Sequence, residues 1–313
     1  MMRKITYKGL WGVLLLGVMV CLSNVVRPAL AYEVTDVTNG GSLTGVVTLL
    51  GPPPDPKAYN LITFPDPEYC GRISTGNGWR LLQDFLVNDD RQVKNVVVFF
   101  EEVQAGKPFS VSIPRVEARD CQFHPFTTIV RSGHGVEVIN MDPVMHDIQA
   151  YETSKQQGNR VLFNSPLPFN RLHKRGDMHA THRHQPSESL VRQFRLSKGR
   201  KTFVMQCGFH AYMESWAIAV ENPYYAFTDS SGTFQIDHIP PGTYRVQAWH
   251  PSVRQDIVQT VVIQPGKQVS LTFELPAPTK RHTAHKILSP PRFTPAALGR
   301  PIDIQPLLEQ QRP

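Results

Sequence analysis

The sequence predicts an all-β fold of two sandwiches, on three observations. Its 313 residues include 27 prolines, crowded at 52–56, at 240–241 and through the C-terminal tail, which leaves little room for long helices. Stretches with a 3.6-residue apolar period are few, whereas short β-branched or aromatic runs recur at 42–50, 95–101, 127–131, 136–139, 202–207, 216–220, 244–249 and 258–263. Each run is bounded by Gly, Pro, Asn or Asp, the punctuation of a sandwich or barrel. Once the two ends are set aside, about 240 residues remain, enough for one enlarged sandwich and one small one.

Residues 1–31 read as a cleaved export signal. Arg3, Lys4 and Lys8 precede an apolar run over 10–22, and Ala29, Leu30 and Ala31 supply a processing site. The run is short for a membrane span, so no transmembrane segment is expected after cleavage, and the mature chain is expected in a periplasm or outside the cell. The formal charge of +7 would by itself invite a nucleic-acid partner. However, residues 1–31 hold four basic and no acidic residues and residues 275–313 hold six basic and two acidic, which leaves −1 on residues 32–274. A folded part so close to neutral argues against nucleic acid.

The run at 42–50 is followed by a Pro-rich excursion over 51–94. Three cysteines survive signal removal, Cys70, Cys121 and Cys207, and an oxidising compartment leaves one of them to be explained. Pairing Cys70 with Cys121 staples the excursion and keeps Cys207 free.

Cys207 is the cysteine with metal-ligand neighbours. Cys207, His210 and Met213 are spaced C-x2-H-x2-M directly after a predicted strand, and His146 follows another strand that closes at Asn140. One thiolate, two imidazoles and a weak thioether are the donors of a blue-copper site. Met213 is the weakest member, because Met141, Met145 and Met205 lie nearby in sequence. His173, His179, His182 and His184 fall in a polar loop read as solvated, and His124 has no further ligands at metal spacing.

The two motifs together resemble the cupredoxins, the family of plastocyanin, pseudoazurin and amicyanin, over roughly residues 40–221. The resemblance implies a Greek-key β-sandwich holding one type 1 copper, with domain limits of 32–221 and an insertion at 51–94. The run at 42–50, followed by Gly51-Pro52-Pro53-Pro54, also looks like the opening of a small sandwich such as residues 222–275 form, and it is read as the first strand of the larger one. The resemblance also implies an apolar docking face of Phe209, Ala211 and Tyr212 around an exposed His210. Asp147 stands where small cupredoxins often have Asn, which unsettles the usual hydrogen bonding around the thiolate.

Residues 222–275 carry Thr228-Asp229-x2-Gly232-x-Phe234 and Pro240-Pro241-Gly242-x-Tyr244, two turn signals between strand-like runs. They resemble the carboxypeptidase regulatory-like domain, a small prealbumin-like or starch-binding-like sandwich. Tyr224, Tyr225, Trp249 and His250 are its candidate sugar-stacking rings, although core and edge packing is the simpler account of them. Residues 276–313, rich in Pro, Arg, His and Thr, read as a disordered tail.

One-electron transfer is therefore the expected activity, with a c-type cytochrome, an oxidase or a dehydrogenase as partner. Catalytic turnover is not expected. A multicopper oxidase needs several His-x-His pairs and histidines beside the type 1 cysteine, but Gln206 and Gly208 flank Cys207, and His182-Arg183-His184 alone has the paired form. A copper-handling protein without redox cycling and a metal-free binding module of the cell envelope remain the alternatives.

Overall fold

The structure, a computed structural model, describes residues 32–54, 56–74, 78–82, 84–110, 113–131, 133–153, 158–173 and 184–278. Residues 1–31 and nearly all of the stretch 276–313 lie outside them. No helix among the described residues is long and apolar enough to cross a membrane.

Strands dominate, and their alternation builds two cores. In His146–Thr153 every second residue is buried, starting with His146 and continuing through Ile148, Ala150 and Glu152. Phe203 and Met205 of Thr202–Gln206 point the same way, and Cys207 takes the next inward position. Glu152 is the one carboxylate in that inward series. Its charge is met by Arg160 at 2.6 Å and by the hydroxyl and amide of Ser197 at 2.6 and 2.8 Å, so its burial leaves nothing unpaired.

The larger sandwich packs a five-stranded sheet against a four-stranded one. The first runs Arg160–Leu167, His146–Thr153, Thr202–Gln206, Glu214–Ala219, Thr127–Val130. The second runs Leu190–Gln193, Gly135–Asn140, Arg115–Arg119, Gln122–His124. Between them lies a core that includes Ile148, Phe203, Met205, Cys207 and Met213.

The smaller sandwich has sheets of four strands, Tyr225–Phe227, Val97–Phe100, Gly242–Trp249, Ile257–Ile263, and of three, Thr233–Ile239, Gly41–Leu50, Gln268–Pro276. The predicted turn at 228–234 forms there: Asp229 accepts from the Ser231 and Thr233 amides, and Gly232 takes φ +65°.

One strand assignment is corrected. The run at 42–50 is not the first strand of the larger sandwich. Gly41–Leu50 lies in the middle of the smaller one, parallel to Gln268–Pro276 from Ser42↔Gln268 to Leu50↔Pro276 and antiparallel to Thr233–Ile239. Leu43, Val47 and Leu49 bury with Phe234, Ile236 and Phe273. Val97–Phe100 crosses over likewise, and its Val97 and Phe99 pack against Ile129, Ile218 and Val220 of the larger sandwich.

The excursion after Leu50 forms a cap. Lys57–Asn60 pairs with Trp79–Leu82, and between them run the turn Leu61–Thr63, the short helix Pro67–Cys70 and the turn Gly71–Ile73. This hairpin pairs with neither sandwich among the described residues. Leu61, Tyr69, Ile73 and Leu82 hold it by burying in the larger core, and a Cys70–Cys121 disulfide, as expected from the cysteine count, ties it to the turn after Arg115–Arg119.

Candidate metal centre

Neighbouring strand ends place the candidate ligands. Gln149 faces Gln206 in the antiparallel pair His146–Thr153/Thr202–Gln206, so the start of one strand and the end of the other meet at one end of the sandwich. His146 begins the first, and Cys207 directly follows the second. The chain then turns through Gly208 and Phe209 and returns at His210, where the His210 carbonyl accepts from the Met213 amide at 2.8 Å. The Met213 carbonyl in turn accepts from the Cys207 amide at 3.1 Å, closing the loop.

Three donor atoms converge. The Nδ1 atoms of His146 and His210 lie 3.2 Å apart, and Cys207 Sγ is 3.8 Å from the first and 3.6 Å from the second. Allowing about 2.0 Å to imidazole nitrogen and about 2.3 Å to thiolate, donors at about 120° around one ion lie about 3.5 Å (N to N) and about 3.7 Å (N to S) apart. The observed spacings match a single-ion site without rearrangement. All three residues are fully buried. Met213 is buried in the same core and closes the Cys207 loop through its backbone.

Each imidazole has its other nitrogen committed. His146 Nε2 donates to Asp142 Oδ2 at 2.9 Å, and His210 Nε2 donates to the Pro65 carbonyl at 3.0 Å. A carboxylate and a carbonyl only accept, so the hydrogens sit on Nε2 and both Nδ1 lone pairs face one another. One thiol proton on Cys207 cannot serve both. A cation among the three atoms would resolve this, and thiolate with imidazole is a donor set that suits copper or zinc.

Asp142 organises the floor. It is fully buried and accepts four hydrogen bonds, from Tyr69 Oη (3.0 Å), the Asp120 amide (2.7 Å), the Cys121 amide (2.8 Å) and His146. Burial pushes its carboxyl up, but the His146 bond and charge and the two amides outweigh it and hold the group below the usual carboxylate range. Asn140 fixes the loop between: its side chain donates to the Val144 and Leu167 carbonyls and accepts from the Asp142 amide.

The metal-free centre is apolar enough to oppose charge. Burial pushes the Cys207 thiol up to about 12, against main-chain N–H groups of Asp147, His210 and Phe209 that favour the thiolate. Burial, then the neighbouring His146, pushes His210 down to about 4. Asp147 does enter the hydrogen bonding around the cysteine, accepting from the Gly208 amide.

His210 is not exposed, which corrects the docking face expected around it. Pro65 and Cys70 of the cap cover its outer edge, with Cys70 Sγ 3.5 Å from Nε2, and Tyr212 beside it is buried against Phe64. Phe209, 43% exposed, is the large apolar group of that loop that reaches solvent.

The remaining candidates are distributed as follows. His184 is half-buried and paired with Asp120 at 3.2 Å rather than solvated, and His173 is buried. His179 and His182 lie outside the described residues. His124 sits in the strand Gln122–His124 opposite Glu117. In the smaller sandwich Tyr224 and His250 are core residues, while Tyr225 and Trp249 are half-buried on the sheet that meets the larger sandwich.

Sequence reasoning missed Asp142, Pro65 and Tyr69. An acidic residue four positions before a candidate histidine was the available signal for Asp142. Nothing local marked Pro65 and Tyr69, whose role depends on where the cap folds.

Comparison with known proteins adds the following. A family model for the carboxypeptidase regulatory-like domain matches residues 212–276. It therefore starts within the loop that carries Met213, and it omits Gly41–Leu50 and Val97–Phe100, which complete the smaller sandwich. No curated protein matches the chain. Among solved structures, a purple cupredoxin from Nitrosopumilus maritimus is similar at 16% identity, over 34% of this chain and 99% of its own, with TM-score 0.24. Auracyanin from Roseiflexus castenholzii is similar at 10% identity, over 35% of this chain and 98% of its own, with TM-score 0.24. A copper-containing nitrite reductase from Thermus scotoductus is similar at 20% identity, over 39% of this chain and 25% of its own, with TM-score 0.23. At TM-scores this low the likenesses carry nothing for the site, which stands on its donor geometry.

Proposed function

We propose that this chain is an exported copper protein holding one ion between His146, Cys207 and His210, with Met213 as weak fourth donor, and that it transfers single electrons. The convergence of two inward-facing Nδ1 lone pairs and one thiol sulfur carries this reading. When bound, copper supplies a one-electron couple. The protein's part is to keep the donors still: Asp142 and Pro65 hold the imidazoles from behind, and the core excludes water. Fixed donors limit rearrangement between oxidation states. They suit a carrier better than a catalyst, since the cap closes the His210 side to a substrate.

Because His210 is covered, the short covalent path from the sulfur to the surface runs from Cys207 through exposed Gly208 to Phe209. A redox protein such as a c-type cytochrome, an oxidase or a dehydrogenase would meet the chain there.

The test is the visible and electron paramagnetic resonance spectrum of residues 32–313 refolded from the reduced, unfolded chain in the presence of copper and then oxidised to Cu(II). An intense thiolate-to-copper band, absent in Cys207→Ser, is expected. A colourless protein that takes up no copper refutes the proposal. The full burial of all three donors favours a second reading, copper retention without electron transfer. That reading predicts tight Cu(I) binding and no reversible oxidation by voltammetry.

A further inference from the structure

The cap reaches both candidate histidines. Its Pro65 carbonyl takes the His210 Nε2 hydrogen, and its Tyr69 hydroxyl donates to the carboxylate that holds His146. Among the described residues, the backbone-to-backbone hydrogen bonds of residues 57–82 stay within that segment: the Leu61 amide bonds Gly78, Phe64 bonds Leu61, and Tyr69 and Cys70 bond Asp66. What joins that segment to the sandwich is the Pro65–His210 hydrogen bond, side-chain contact and one covalent bond. The contacts are the burial of Leu61, Tyr69, Ile73 and Leu82, the Tyr59 and Phe64 rings against Tyr212, and Lys57 between Asp84 (3.5 Å) and Glu214 (3.9 Å).

That covalent bond lies at the centre itself. Cys70 Sγ is 3.5 Å from His210 Nε2, and Cys121 contributes its sulfur to a cluster with Asp142 and His146. Cys70 and Cys121 are as deeply buried as Cys207. The bond closes a loop with a sequence separation of 51, and chain entropy alone makes opening of such a loop rarer by up to about a thousandfold.

We propose that the Cys70–Cys121 disulfide is a lock on the centre: metal goes in before the two cysteines are joined, and afterwards neither metal nor small reagents reach Cys207 until the bond is broken. Unlocking needs a two-electron reductant of the dithiol or phosphine class. With a dithiol, the S–S bond breaks, Cys70 and Cys121 each end as a thiol, and the dithiol gives up two electrons and two protons to become a disulfide. Loading then precedes oxidation during maturation, and a mature chain exchanges metal only under reducing conditions. The inference uses the proposed metal site for its metal half alone, since access to Cys207 is a property of the metal-free chain.

The experiment is the rate at which iodoacetamide alkylates Cys207 in metal-free residues 32–313, read by peptide mapping. Three samples are compared: the disulfide-intact chain, Cys70→Ser/Cys121→Ser, and the wild-type chain treated with a trialkylphosphine, which serves if the double variant does not fold. Unlocked samples are expected to react at least about tenfold faster, within the ceiling set by the loop. Equal rates in the intact and phosphine-treated chains overturn the lock. Cu(I) uptake by the same samples after removal of the phosphine, followed by anaerobic native mass spectrometry, separates the two proposals. Faster alkylation with no metal uptake in any sample leaves the lock standing and sinks the copper reading. Equally fast uptake in locked and unlocked chains sinks the lock and leaves the metal site standing.

Discussion

Replacing Asp142 by Asn tests the idea that His146 is held for metal binding from behind. The carboxylate is fully buried, and each oxygen accepts twice: Oδ1 from Tyr69 and the Asp120 amide, Oδ2 from the Cys121 amide and His146 Nε2. An amide has one acceptor oxygen. With that oxygen at the Oδ1 position, the new NH2 group meets two donors where two bonds used to be. Each buried donor left unmet costs about 1–3 kcal/mol, so about 2–6 kcal/mol is at stake before relaxation. The ready relaxation is for His146 to move its hydrogen to Nδ1 and accept from the new amide, but that occupies the nitrogen turned toward Cys207. Copper affinity is therefore expected to fall about 10- to 100-fold, the range for residues that orient a ligand. A chelator-competition titration with Cu(I) under reducing conditions measures it, and denaturant unfolding of the metal-free variant confirms that the fold persists. A folded Asp142→Asn chain that binds copper within twofold of wild type would refute the reasoning.

Three further outcomes are expected. Met213→Leu should keep the intense thiolate-to-copper band while shifting the reduction potential, because a weak axial donor tunes the couple without making the band; voltammetry and absorption read the two separately. His250, fully buried and pushed down to about 3 by that burial, is neutral in the folded chain. The unfolded chain binds the extra proton between about pH 6.5 and about pH 3, so this part of the stability is complete above about pH 6.5 and is lost, at about 1.4 kcal/mol per pH unit, as pH falls toward 3. His250→Asn should remove that slope in urea titrations between pH 6 and 4, and an unchanged slope would count against it. A Cβ on Gly45 would strike the Leu271 carbonyl and come within 2.7 Å of the Phe234 ring. Gly45→Ala is thus expected to cost about 1–3 kcal/mol in thermal or denaturant unfolding, with the copper spectrum unchanged.

Much of this architecture was legible in the residues because alternation is a local signal. The period-2 burial of His146–Thr153 and Thr202–Gln206 and the turn at Asp229 and Gly232 need nothing beyond their own neighbours. Partner choice is different. Leu43, Val47 and Leu49 alternate equally well for either sandwich, and the strand that claims them begins at Gln268, more than two hundred residues on. The C-x2-H spacing places the His210 ring but says nothing about what lies above it, and the cap that covers it has no period of its own. Asp142 was hidden for a related reason. A buried carboxylate four residues before a histidine looks like any loop acid until Tyr69 and two amides are seen to converge on it.

The parallel pairing of Gly41–Leu50 with Gln268–Pro276 sets a timetable for the growing chain. A chain made or exported from its N-terminus presents Leu43, Val47 and Leu49 early and has to keep them soluble until residue 276 has emerged. The larger sandwich lies wholly inside that interval and is free to close first. The smaller sandwich is bound to finish last, at the pace of its most distant contact. A chain cut at residue 221 would carry the strands Gly41–Leu50 and Val97–Phe100 with no sheet to receive them, so division at that point should yield aggregates rather than two independent domains.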